Sequence, residues 1–190
     1  DVDELMQTAQ GQLFELAQNN QKKDYSHIDP IIGEAYEMLR KASARTDGLS
    51  GIPSGFYELD KMTSGWQNSD LVILAARPAM GKTAFALSMA KNIAVDQGIP
   101  VAFFSLEMAN VQLVNRIISN VCEIKSEKLR SGQLAPYEWG QLDYKMKELY
   151  GKPFYTDDTA NLSVNEFCTK ARRLVKEHGV RLIMIDYLQL

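Results

Sequence analysis

The chain has 190 residues, of which 45% are hydrophobic and 24% are charged, and this ordinary globular composition excludes a disordered or collagen-like chain. Its net charge of -3 excludes a global electrostatic attraction to nucleic acid or to an anionic membrane. The longest apolar run, residues 71–76, is far shorter than the ~20 residues of a membrane-spanning helix, and no secretory signal opens the chain. We therefore expect a cytoplasmic protein with one main domain.

The first part of the chain is predicted to be helical. Apolar residues recur at three- and four-residue spacing over residues 3–19, which predicts an amphipathic helix. A polar connector follows, and Asp29 and Pro30 then supply a helix cap and a favoured first-turn proline. The second helix is predicted over 30–44. Residues 49–65 contain several Gly and Pro, which indicates turns around one short piece at 56–62.

From residue 71 onward, apolar strand patterns alternate with amphipathic helix patterns, which predicts a parallel sheet with crossover helices and thus an α/β fold. The last helix is the best marked, because Ser163 and Glu166 fit a capping box and Gly179 suits a left-handed C-terminal cap. The predicted strands are 71–76, 101–105, 154–156 and 182–186, and the predicted helices are 82–95, 111–121, 136–150 and 164–178.

A phosphate-binding loop is predicted between the first of these strands and the first helix. The loop opens at Ala76, where the usual pattern has Gly, and ends in Gly81-Lys82-Thr83. Backbone N–H groups and the positive end of the helix would wrap nucleotide phosphates, while Lys82 would reach the terminal phosphates and Thr83 would hold Mg²⁺. The alternative is a helix start that reads Gly-Lys-Thr by chance.

A second acidic group for the metal is expected at the end of the strand 182–186, where Asp186 follows an apolar run. Ligands of open α/β sheets gather at the carboxyl ends of strands, so Asp186 lies where chemistry is expected. The alternative for Asp186 is a capping residue at a strand end.

Glu107 lies two residues beyond the strand 101–105, at the same predicted edge of the sheet. A carboxylate that faces the terminal phosphate can polarise an attacking water, so Glu107 favours hydrolysis over transfer to another acceptor. The alternative is that Glu107 caps the helix that begins near Ala109. Cys122 and Cys168 form no Cys-x-x-Cys pair and are interpreted as reduced thiols.

These motifs resemble those of the DnaB-type replicative DNA helicases, which are hexameric ring motors of the RecA-like class. The resemblance covers nearly the whole chain, and the Ala76-Arg77-Pro78 opening of the loop is itself typical of that family. One departure is Asn68-Ser69-Asp70, where the family more often has Gly before the acidic residue. The resemblance depends on four segments: 51–60, 74–86, 104–108 and 185–190.

The resemblance implies a RecA-like P-loop NTPase fold, with residues 1–48 as a helical linker segment and 49–190 as the N-terminal part of the ATPase domain. The chain starts without Met and stops inside a predicted strand, so we expect an incomplete domain. The implied cofactors are ATP and Mg²⁺, with Glu107, Lys82 and Asp186 as catalytic residues and Thr83 and Asp186 at the metal. The expected nucleotide-binding residues are Arg77, Pro78, Ala79, Met80, Gly81, Lys82, Thr83 and Ala84.

The resemblance also implies partners. The helix over 3–19 resembles the linker that docks on the neighbouring subunit, so a homo-oligomer, in that family a hexameric ring, is expected; a helix folded back on its own domain is the alternative. Single-stranded DNA, primase and a loader are further implied partners, and the implied activity is ATP-driven translocation and duplex unwinding. Two other interpretations stay open: another RecA-like ATPase, such as a recombinase or clock-type ring protein, and a non-catalytic assembly module that nucleotide stabilises.

Overall fold

A computed structural model describes residues 27–43 and 48–187. The chain divides into two units between Thr46 and Asp47. In the first unit, helix α1 runs over Ile28–Ser43. It starts before the predicted 30–44, so Asp29 lies in the first turn and is not the cap; an acidic residue and a proline are both favoured there, because neither conflicts with the exposed N–H groups. The helix predicted over 3–19 lies outside the described residues.

The second unit is built on a parallel sheet of three strands. These are β1 (Val101–Ser105), β2 (Phe154–Asp157) and β3 (Leu182–Asp186), in the order β2-β1-β3. All five residues of the central strand β1 are buried. Ser105 lies opposite Asp186 in the register, so β1 and β3 end at the same edge of the sheet.

Helices cover both faces of this sheet, as apolar side chains on both sides of β1 require. On one face, Phe103 of β1 packs with Ile93 and Leu113 in the larger core cluster. On the other face, Phe104 contacts Phe167 edge to face, with ring centroids 4.9 Å apart. The helices are α2 (Tyr57–Thr63), α3 (Lys82–Lys91, continued by a π-helical turn over Asn92–Asp96), α4 (Asn110–Cys122), α5 (Ser126–Ser131), α6 (Pro136–Met146) and α7 (Val164–His178).

The last helix begins and ends as its sequence predicts. Ser163 Oγ accepts from the Glu166 N–H at 3.3 Å, and the Ser163 N–H donates to Glu166 Oε2 at 3.0 Å. Hydrogen bonds from Ser163 lower the pKa of Glu166. Gly179 ends the helix with φ of 64°, a left-handed conformation that favours glycine.

The α/β fold with a parallel sheet is confirmed, whereas one predicted strand is wrong. Residues 71–76 form no strand in the described part of the chain, and the side chains of Leu71 and Ile73 are 85% and 81% exposed. An apolar run supplies side chains for a strand but not the neighbouring backbone that a strand must pair with. The short helix α5 was not predicted, and α6 ends at Met146, before the predicted residue 150. No helix within residues 27–43 or 48–187 is long and apolar enough to span a bilayer.

Candidate functional site

The predicted phosphate loop leads directly into α3. The Met80 N–H donates to the Arg77 carbonyl at 3.2 Å, which closes a turn within the loop. Gly81 is the N-cap with φ of 88°, a conformation that a side chain would strain, and it carries no side chain to cap the helix. The first turn of a helix leaves its N–H groups without intrahelical partners, so they are available to a bound anion. The predicted nucleotide-binding residues Arg77, Pro78, Ala79, Met80, Gly81 and Ala84 are all exposed.

Three of the predicted site residues meet at the start of α3. The Thr83 hydroxyl donates to Asp186 Oδ2 at 2.6 Å, across 103 positions of sequence. Lys82 Nζ lies 3.4 Å from Asp186 Oδ1 and 4.2 Å from the ring centroid of Tyr187. Asp186 is only 6% exposed, and a buried carboxylate is costly unless it is paired and hydrogen-bonded. The lysine and the threonine provide both kinds of partner.

Glu107 lies in the loop that follows β1. The Leu106 N–H donates to the carbonyl of Asp186 at 2.9 Å, which ties this loop to the end of β3. Glu107 is exposed and lines an open cavity of about 900 Å³, together with Ala84 of α3. The two predicted halves of the site therefore share one edge of the sheet and one cavity.

Glu107 is not the cap of the following helix. Helix α4 begins at Asn110 with Ala109 as its N-cap, and the Asn110 N–H donates to Asp158 Oδ2 at 2.8 Å. This observation removes the capping alternative for Glu107. Asp158 itself was missed by the sequence interpretation, although an acidic residue directly after β2, at the carboxyl edge of the sheet, is a signal that could have found it.

The oxygen atoms at the start of α3 fit Mg²⁺. A threonine hydroxyl and a carboxylate are hard donors of the type that this ion binds, and Mg²⁺ usually takes few protein ligands beside waters and substrate phosphates. In agreement, no group of three or more His, Cys, Asp or Glu side chains that could hold a metal lies within residues 27–43 and 48–187. Both cysteines are free, and burial raises the pKa of the Cys122 thiol.

Comparison with known proteins gives a consistent result. A family model described as "DnaB-like helicase C terminal domain" matches residues 51–190. The chain is 42% identical over 190 residues to the "Replicative DNA helicase DnaB" of Geobacillus stearothermophilus, which covers all of this chain and 42% of that relative.

Two solved structures are similar in fold and in sequence. One is the structure of an isolated ATPase domain, which has a TM-score of 0.78 and 37% identity, and the match covers 87% of this chain and 58% of that one. The other is a DnaB-like replicative helicase, solved in a study of its interactions with primase. It has a TM-score of 0.74 and 35% identity, with 95% of this chain and 43% of that one covered.

Proposed function

Since the chain belongs to the DnaB-like helicase C-terminal domain family, we propose that it carries the nucleotide-binding half of a motor that couples ATP hydrolysis to translocation on single-stranded DNA and to duplex unwinding. The chain spans 42% of the length of the curated relative described above, so the proposal concerns the activity of the complete protein.

The observation that carries the proposal is the contact of Thr83 and Lys82 with Asp186. A nucleotide bound across the start of α3 would place its terminal phosphates against the Lys82 ammonium, which now pairs with Asp186 at 3.4 Å. Phosphate oxygens would compete with the carboxylate for this cation. Lys82 then has two alternative anionic partners at one place, which suits a residue that binds and releases phosphate in each cycle.

Thr83 and Asp186 would hold Mg²⁺, and the ion, when bound, neutralises part of the phosphate charge. Glu107 is the group proposed to act on water. Its carboxylate is exposed to the cavity that Ala84 also lines, so a water there can donate a proton to it while the water oxygen attacks the terminal phosphate. The neighbouring Leu106, bonded to the Asp186 carbonyl at 2.9 Å, keeps this carboxylate near the metal-binding end of the sheet.

The proposal is tested by measuring ATP turnover and forked-duplex unwinding with the complete protein and with its Lys82→Ala variant. We expect the wild type to unwind DNA only with ATP and the variant to do neither. Turnover without unwinding would favour another RecA-like ATPase, such as a recombinase or clock-type ring protein. Nucleotide binding without turnover, in the assembled protein supplied with DNA, would favour an assembly module.

A homo-oligomer, a hexameric ring in that family, is part of this proposal and would assemble through the helix predicted over 3–19. A helix passed to the next subunit makes a heterologous contact that can close into a ring. Replacing both Leu13 and Leu16 by Glu should lower assembly in sedimentation, with ATP turnover falling as a consequence. An unaltered oligomer would mean that the helix folds back on its own domain. Primase and a loader are proposed partners, and one similar structure comes from a study of primase interactions.

A further inference from the structure

We propose that Asp158 is a positioning residue for Glu107, because its carboxylate fixes the far end of the loop that carries Glu107. This inference rests on the proposed function, in which the Glu107 carboxylate acts on the attacking water. It adds a residue from the loop after β2, which neither the phosphate-loop motif nor the strand-end acid brings into the site.

Asp158 makes two hydrogen bonds to one residue. Its Oδ2 accepts from the Asn110 backbone N–H at 2.8 Å, and its Oδ1 accepts from Asn110 Nδ2 at 2.8 Å. The two residues are 48 positions apart, so the pair ties the end of β2 to the start of α4. Asn110 Oδ1 is buried without a hydrogen-bond partner in the described part of the chain, so the Asp158 carboxylate alone orients this amide.

The pair also replaces a missing helix cap. The N-cap of α4 is Ala109, whose methyl group cannot accept a hydrogen bond, and no side chain of that residue caps the helix. Asp158 supplies the acceptor from a distant loop, and its negative charge is favourable at the positive end of the helix. Removing the carboxylate therefore releases the first turn of α4.

Glu107 lies between two sets of anchors. Before it, the Leu106 N–H donates to the Asp186 carbonyl at 2.9 Å, and after it the Met108 N–H donates to Ser105 Oγ at 3.0 Å. Both of these bonds attach the loop to the strand ends. The Asp158 pair is the bond that holds the other end, where the chain turns into α4.

The carboxylate of Glu107 is exposed and has no hydrogen bond or ion pair of its own within the described residues. Its position therefore depends on the backbone of the loop and not on contacts of its side chain. A displacement of about 1 Å in a reacting group can lower a rate by up to about a hundredfold. Loss of one of several anchors should cost less, so we expect about a tenfold loss of turnover. Lys82 and Thr83 contact Asp186 and not Asp158, so nucleotide affinity should be unchanged.

The first experiment measures kcat and nucleotide affinity of the complete protein with Asp158→Ala. We expect kcat to fall about tenfold while the affinity for ATP stays within about twofold of the wild type. Asp158→Asn retains one acceptor oxygen, should lose less and provides a second variant if the alanine protein does not fold. Asp157→Asn is the matched control, because this neighbouring carboxylate bonds Lys170 of α7 and should leave kcat unchanged.

The deciding measurement repeats Asp158→Ala in a Glu107→Gln background. If Asp158 acts through Glu107, the second substitution should change kcat by less than about twofold, since the positioned carboxylate is already gone. A further tenfold loss in the double variant would overturn the proposal, and so would a wild-type kcat in folded Asp158→Ala and Asp158→Asn proteins. A Glu107→Gln protein with normal turnover would instead refute the proposed role of Glu107, so the two failures are distinguishable.

Discussion

Two carboxylates at the same edge of the sheet are held in opposite ways. Asp186 is buried, bonded by Thr83 and paired with Lys82, whereas Glu107 is exposed on a loop that only its backbone and its flanking residues anchor. Binding of phosphate and metal therefore depends on direct side-chain contacts, and hydrolysis depends on the placement of a loop. The difference teaches that the two functions should be separable by single substitutions.

The largest effect is expected where the contacts are direct. Lys82→Ala should abolish nucleotide binding or hydrolysis, because it removes the cation placed against the terminal phosphates. Binding of a fluorescent ATP analogue and ATP turnover, both with the complete protein, measure this. Lys91→Ala is the control, since Lys91 lies at the other end of α3 and pairs with Asp96 at 3.0 Å. Unchanged affinity and turnover in Lys82→Ala would refute the phosphate-binding assignment.

The next effect should divide the two functions. Glu107→Gln should leave nucleotide affinity nearly intact and lower turnover on the order of a hundredfold, because Gln keeps the shape of the side chain and loses the accepting charge. Equilibrium binding and single-turnover hydrolysis measure the two quantities. Glu127→Gln is the matched control, since Glu127 lines the same cavity. A collapse of affinity with a normal rate per bound nucleotide would show that Glu107 has a structural role.

The elements that the sequence predicts correctly have local signals. The bounds of β1, β3 and α7 agree with the prediction, because an apolar run defines each strand and the Ser163 cap and Gly179 define the helix. The contact of Thr83 with Asp186 follows from a phosphate loop and a strand end that a parallel sheet brings to one edge. Here local pattern and topology point to the same place.

The elements that the sequence does not predict depend on distant contacts. Residues 71–76 have the composition of a strand but no strand partner among the described residues, and composition cannot supply one. Helix α5 has six residues and no side-chain cap, so it leaves little local signal. Asp158 acts on Asn110 across 48 positions, and neither residue belongs to a recognisable spacing. These features arise from tertiary structure.

A smaller effect should confirm that a distant helix serves neither function. Ser163→Ala removes the side chain that caps α7, and loss of such a cap costs about 1 kcal/mol of stability. We expect a lower melting temperature with unchanged nucleotide affinity and kcat. Ser163→Asp is the control, because an aspartate can cap in place of serine and should restore the melting temperature. A large loss of kcat in folded Ser163→Ala would mean that α7 is coupled to the site.

The smallest effect concerns the carboxylate beside Asp158. Burial alone would raise the pKa of Asp157, but hydrogen bonds from Lys170 and Thr159 outweigh it and lower the pKa below its ordinary value. A group with a depressed folded pKa stabilises the fold above its unfolded pKa, about 3.9 for Asp, and this stabilisation is lost as the pH falls through the lower folded value. Urea unfolding followed by circular dichroism at several pH values should therefore show a steeper loss of stability below about pH 4 in the wild type than in Asp157→Asn.

Lys170→Met should reproduce the shallower slope of Asp157→Asn, because it removes the other partner of the ion pair, whose Nζ lies 2.7 Å from Asp157 Oδ2. Parallel curves for the wild type and Asp157→Asn would refute the assigned shift. If the slopes differ while kcat stays constant, the two adjacent aspartates have divided roles. Asp157 then serves the stability of α7, and Asp158, through Asn110, is free to serve the loop that carries Glu107.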